Sequence, residues 1–145
     1  PSGRILGRGT TGRQRARPDL RRRPMKILVA DDSRVMRQIV IRTLRQAGYA
    51  GHEIVEAENG KEALEKVHSE SPDLVLSDWN MPEMNGIDLL AAMRSAGSAV
   101  PFGFVTSEGS PDMRARATAG GALFLIAKPF TPEAFSEVLA PVLKG

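Results

Sequence analysis

The sequence predicts an α/β protein: an open, doubly wound parallel sheet of five strands with helices on both faces. Three observations predict it. From Met25 onward, short apolar runs recur at 26–30, 73–77, 102–106 and 122–127, with an alternating segment at 52–57. Each is followed by helix signals: apolar residues three or four apart or, after 102–106, the opening Ser110-Pro111-Asp112. Five such units in residues 25–145 are too few for an eight-fold barrel, so the sheet stays open. Apolar strands alternating with helices mean a parallel sheet covered on both sides.

Each element has its own signals. KILVA (26–30) is a short apolar run and reads as a buried strand. Ser33 to Ala47 carries Val35, Met36, Ile39, Val40, Leu44 and Ala47 at helical spacing, and Gly48 stops it. HEIVEA (52–57) alternates, a second strand, and Asn59-Gly60 turns into an amphipathic helix over 61–70 with Ala63, Leu64 and Val67 on one face. Ser71-Pro72 ends it. DLVLS (73–77) is the third strand; the helix over 86–97 is expected to turn Ile87, Leu90, Ala91 and Met93 inward. Pro101 precedes the strand FGFVT (102–106), and Ser110-Pro111-Asp112 opens a helix through Ala119 with proline near its first turn. ALFLIA (122–127) is the last strand. Thr131 before Pro132-Glu133 is a good N-cap for a final helix with Phe135, Val138, Leu139 and Val142 inward.

Composition excludes several classes. At 145 residues and 41% hydrophobic, the chain suits one domain with one sizeable core. There is no cysteine, which removes disulfides, thiol catalysis and Cys-ligated zinc and fits a reducing compartment. No apolar run approaches the ~20 residues of a membrane span. The net charge of +3 is unevenly split. Residues 1–24 hold eight Arg and one Asp, net +7, so 12 basic and 16 acidic residues remain in 25–145, net −4. The high pI therefore belongs to the tail and does not make the body a nucleic-acid binder. Residues 1–24 are rich in Gly, Arg, Pro and Thr without a period, and a disordered basic tail is expected there. The chain begins with Pro, and Met25-Lys26 reads as a natural start, so the tail is read as vector-derived or as upstream sequence translated from a misplaced start. RRRP followed by MKILVA is too short a run for a signal peptide.

In an open parallel sheet, ligand chemistry sits at the carboxyl ends of the strands. Asp31 and Asp32 follow strand one, Asp78 follows strand three, Thr106 ends strand four, and Ala127-Lys128-Pro129 ends strand five. Singly, each has a bland reading: Asp31-Asp32-Ser33 as a helix cap, Thr106 as β-branched filler, Lys128-Pro129 as a solvated turn. Jointly they collect three acids, a hydroxyl and an amine at one edge. Three close carboxylates stay ionised only if cations join them. Lys128 is one cation; an all-oxygen donor set favours Mg²⁺ or Mn²⁺ as the second. A carboxylate there can act as a nucleophile and accept a phosphoryl group, with metal and lysine neutralising its charge and Thr106 hydrogen-bonding one of its oxygens.

The motifs LVADDS (28–33), SDWNMPEMNG (77–86), VTSE (105–108) and AKPF (127–130) resemble the receiver domain of two-component response regulators. Within that family, DDSRVMRQIV and SDWNMPEMNGIDLL are most similar to the stand-alone chemotaxis regulators. The resemblance covers nearly all of 25–145 and implies a flavodoxin-like (βα)5 fold with strand order 2-1-3-4-5. It implies Asp78 as the phosphoacceptor, Asp32 as a direct Mg²⁺ ligand, Asp31 as a ligand through water, and Asn80 as a ligand through its backbone carbonyl. Lys128 would pair with the acid and then the phosphoryl group, and Thr106 would swing toward the phosphate. Asn80 and Glu108 stand where the family tunes phosphate lifetime, and Lys128–Pro129 stands where it usually has a cis peptide. The family often has Tyr or Phe three residues before the lysine. Here Leu125 stands there, and alternation turns Phe124 to the other face, which puts a coupled threonine–aromatic switch in doubt.

The implied function is a monomeric, cytoplasmic signalling protein rather than an enzyme, with self-catalysed phosphorylation and dephosphorylation. Its phosphodonor would be a histidine kinase. Its output would pass through the helix 4–strand 5–helix 5 face to a motor switch protein or a histidine phosphotransfer protein, since no DNA-binding output domain follows. Two other classes are weaker. An Mg²⁺-dependent phosphohydrolase would want a second acid two residues beyond its nucleophile, which Asp31-Asp32 lacks, and a substrate-cap insertion, which is not visible. A nucleic-acid binder would act through the arginine-rich tail. His52 and His68 lie remote in sequence from every site motif, and the methionines fit core and loop packing. Trp79, the only tryptophan, directly follows Asp78 and should report metal at the site by fluorescence.

Overall fold

Apolar runs and side-chain caps set the elements in the computed structural model, which describes residues 24–143. The strands are β1 (Lys26–Ala30), β2 (Glu53–Ala57), β3 (Leu74–Ser77), β4 (Phe102–Thr106) and β5 (Phe124–Ala127). The helices are α1 (Arg34–Leu44), α2 (Gly60–Glu70), α3 (Gly86–Ser95), α4 (Pro111–Ala119) and α5 (Pro132–Leu143). All strand pairs are parallel, in the order β2-β1-β3-β4-β5, as the resemblance implied. The basic tail expected over 1–24 lies, Pro24 apart, outside the described residues. Among the described residues no helix is long and apolar enough to cross a membrane.

Every helix begins at a side chain that accepts an orphan amide of its first turn. Ser33 accepts from Met36, Asn59 from Glu62, Asn85 from Asp88, Ser110 from Met113 and Thr131 from Ala134. Each such cap is worth about 1 kcal/mol and fixes where the chain leaves a strand end. This matters for function, because the strand-to-helix turns carry the acids.

Alternation along the strands divides the core. Ile27, Val29, Leu74, Leu76, Val105 and Ile126 face α1 and α5, where they meet Val40, Leu44, Phe135 and Leu139. Leu28, Val75, Phe102 and Phe104 face α2, α3 and α4. Phe124 and Leu125 fall on opposite faces of β5, as alternation required. The Phe124 ring lies where a Cβ on Gly103 would stand, so glycine in β4 lets the edge strand lay an aromatic over its neighbour.

Four local expectations fail. The first helix keeps α form only to Leu44; a wider turn runs through Arg45–Tyr49, where Gly48 takes φ 103°. Val35, counted in the helical spacing of α1, is 69% exposed, because α1 seats Val40, Ile41 and Leu44 instead. In α3 Ala91 is exposed and Leu89 fully buried; the small side chain was placed on the wrong side of the stripe. β2, an edge strand, shows graded burial rather than alternation.

Candidate functional site

The ends of β1 and β3 are carried one hydrogen bond beyond the strands. The Asp31 amide donates to the Ala57 carbonyl at 3.1 Å, and the Asp78 amide to the Ala30 carbonyl at 2.9 Å. Both acids thus stand on backbone that still belongs to the sheet. Asp31 is only 3% exposed; its Oδ1 accepts from the Ser33 amide at 2.9 Å, and its Oδ2 from Lys128 Nζ at 3.3 Å. Asp78 is half-buried; its Oδ1 accepts from the Trp79 amide at 2.7 Å, and Lys128 Nζ lies 3.8 Å from its Oδ2. Asp32 is exposed. One oxygen from each of Asp31, Asp32 and Asp78 lies within 4.8 Å of the others.

Burial pushes the Asp78 carboxyl above its ordinary range. The Lys128 charge pulls it back, the Asp31 charge raises it, and bonds from the Trp79 amide and the Thr106 hydroxyl lower it. One lysine among three carboxylates leaves the corner short of positive charge. The donor set is all oxygen, converging, and open to solvent at Asp32, which fits a hard divalent cation such as Mg²⁺.

The other predicted residues arrive at the same edge. Thr106 is fully buried; its hydroxyl accepts from the Glu108 amide at 3.4 Å, and its carbonyl accepts from the Lys128 amide at 2.8 Å. Asn80 Nδ2 donates to Glu108 Oε1 at 3.1 Å, so the two residues expected to tune phosphate lifetime touch each other. The Lys128–Pro129 peptide is cis. Leu125 is half-buried and packs among residues of the α2–α3–α4 face. His52 lies at the amino end of β2, accepting the Met25 amide, and His68 is exposed on α2.

Several contributors were not foreseen. Gly86 closes the loop after Asp78: a Cβ there would stand 2.2 Å from the Asp78 carbonyl oxygen, and its amide donates to the Trp79 carbonyl. The Asn85-Gly86 turn signal was visible; the close approach was not. Trp79 is buried beside Phe104, with their ring centroids 4.7 Å apart, and Arg116 of α4 sits 5.5 Å above its ring. Arg37 and Arg114 reach backbone carbonyls that carry no sequence signature.

The fold and this corner together define a class: a doubly wound parallel sheet with a carboxylate–lysine site at the carboxyl ends of its strands. The chain belongs to the response regulator receiver domain family, which matches residues 27–140. Over 122 residues it is 43% identical to chemotaxis protein CheY1 of Helicobacter pylori, covering 82% of this chain and 97% of that protein. It is 39% identical to a CheY homologue of Campylobacter jejuni, over 82% of this chain and 92% of the relative. Among solved structures, CheY4 of Vibrio cholerae matches with a TM-score of 0.72 at 37% identity, over 83% of this chain and 99% of that one. The signal receiver domain of the response regulator NarL of Mycobacterium tuberculosis matches at 0.75 and 28% identity, over 84% and 98%.

Proposed function

We propose that this chain is a phosphoacceptor switch: Asp78 takes a phosphoryl group from a histidine kinase in an Mg²⁺-dependent reaction, and the product binds a protein partner differently. The observation that supports it best is the convergence of Asp31, Asp32 and Asp78 with Lys128 at 3.3 and 3.8 Å from two of them. An Asp78 oxygen attacks phosphorus, the bond from phosphorus to the donor imidazole nitrogen breaks, and that nitrogen keeps the electron pair. Asp31, Asp32, Asp78 and the Asn80 carbonyl would hold Mg²⁺ or Mn²⁺, which when bound neutralises charge on the phosphoryl oxygens. Lys128 transfers its pairing from the acids to a phosphoryl oxygen, and the Thr106 hydroxyl donates to another. Burial keeps water from the acyl phosphate on the Thr106 side.

The named CheY relatives are chemotaxis proteins, which supports a chemotaxis role in the cytoplasm with a motor component as partner. The surface formed by α4, β5 and α5 is the proposed output face. Phosphorylation need only bias two conformations, so the partner must bind them unequally.

The test is intact mass after incubation with acetyl phosphate, with and without Mg²⁺, on wild type and Asp78→Asn. A single phosphoryl adduct that needs both Mg²⁺ and Asp78 is expected. No adduct on folded wild type, or an equal adduct on Asp78→Asn, would sink the assignment.

A further inference from the structure

Of the three clustered acids, Asp32 is fastened least. Its carboxylate is exposed and makes no hydrogen bond or ion pair with a described residue. What is fixed is where its Cα–Cβ bond starts and points, and that is set by the backbone that carries it. That backbone is tied by Arg37: Nη1 donates at 2.7 Å to the Asp31 carbonyl, the oxygen of the peptide joining Asp31 to Asp32. On the same guanidinium, Nε donates at 2.8 Å to Glu56 Oε1 on the edge strand β2. The Arg37 side chain is 11% exposed, so this fork is largely shielded from water. Glu56 is itself restrained, by Gln38 through its carboxylate at 3.4 Å and by Lys66 through its carbonyl.

We infer that Arg37 is a positioning residue for Asp32: it fixes the Asp31–Asp32 peptide, anchors it to Glu56, and so sets how the Asp32 carboxylate enters the acid cluster. This rests on the metal site of the proposed function. The planar fork is what the task needs, because two acceptors in different elements are engaged by one rigid group. Partners of this kind, behind a ligand rather than on the metal, commonly govern affinity by 10- to 100-fold.

Charge alone predicts the opposite. Arg37 is a cation close to an acid cluster, so deleting it should tighten binding of a divalent cation. A positioning role predicts weaker binding, and the sign separates the two. A role confined to joining α1 to β2 would lower the melting temperature and leave the affinity of the folded protein unchanged.

The experiment is Mg²⁺ titration followed by Trp79 fluorescence and checked by calorimetry. Its subjects are wild type, Arg37→Met, Arg37→Lys and Arg42→Met, each first shown to melt cooperatively. Arg42 is exposed on the same helix and serves as the charge control. Arg37→Met is expected to need about tenfold more Mg²⁺ for half-saturation, and Arg37→Lys an intermediate amount, since an ammonium keeps the charge but not the fork. Arg42→Met should match wild type or bind slightly tighter. At saturating Mg²⁺ the rate of acetyl phosphate labelling by Arg37→Met should recover to near wild type. Unchanged or tighter binding by folded Arg37→Met overturns the inference while leaving the site intact. Wild type that binds no Mg²⁺ overturns the metal site itself, and this inference with it. If Arg37→Met does not fold, Arg37→Lys carries the same test, and wild-type affinity in it is the overturning result.

Discussion

At the end of β1, Asp31 has its amide, its carbonyl and both carboxylate oxygens engaged, by Ala57, Arg37, Ser33 and Lys128 respectively. Across the sheet, α4 is held very differently. Only Ala117 of that helix is fully buried, and much of its attachment comes from arginines: Arg116 over the Trp79 ring, and Arg114 reaching the Gly109 and Leu125 carbonyls. Both regions border Asp78, one through Lys128 and one through Trp79. The acid corner is preorganised, as chemistry that relies on placed charges requires. An element held by few apolar contacts and exposed polar ones opens at low cost, which would suit the proposed output face.

The largest effect should come from the firmly packed side. Phe135 of α5 is fully buried and stacked on Phe130 with centroids 4.9 Å apart. Phe135→Ala should cost about 3–5 kcal/mol in urea denaturation. Met113→Ala, at a half-buried position of α4, should cost only ~1 kcal/mol. Equal costs would erase the contrast between the two helices.

The electrostatic corner gives a smaller effect with a defined sign. Asp78 is raised above its ordinary value, mainly by burial, so the folded state holds a proton there more tightly than the unfolded state. Between the unfolded and the raised folded value, stability therefore falls as pH rises, and above both the ionised group is a constant penalty. Asp78→Asn should melt a few degrees higher than wild type at neutral pH in the absence of Mg²⁺. The gap should close as pH falls below the ordinary carboxylate range. A gap that widens toward acid would mean that Lys128 outweighs burial.

The acid corner was largely legible in the sequence, and so was the span of α4, with its Ser110 cap and its end at Ala119; the contacts that hold α4 in place were not. β3 is buried at all four positions, so its end, and Asp78 after it, could be placed from an apolar run alone. The same holds for β1 and the Asp31-Asp32 pair. Once the strand ends are known, a parallel sheet brings Thr106 and Lys128 to the same edge without further information. Helix phase was harder: with Ile87, Leu89, Leu90 and Ala91 all apolar, spacing alone did not choose Leu89 over Ala91. Least legible were the arginine bonds. Arg37 and Arg114 each end on a main-chain carbonyl, and every residue supplies one, so nothing in the partner's identity marks the contact.

Arg114 provides the smallest prediction and the sharpest check on the contrast. Its Nε donates to Gly109 in the β4–α4 loop and its Nη1 to Leu125 on the edge strand β5, both at 3.1 Å. The fork thus spans from the loop that begins after Thr106 to the residue standing where the family often has an aromatic. Because these bonds are exposed, Arg114→Met should cost only ~1 kcal/mol, and the cost should be local. Native-state hydrogen exchange should quicken at residues 107–110 while the urea midpoint barely moves. Unchanged exchange there would show that the loop is held by something else, with Asn80–Glu108 next in line. Faster exchange throughout the sheet would show instead that α4 is coupled to the global core, and the distinction between a fixed corner and a loosely held helix on the proposed output face would fall.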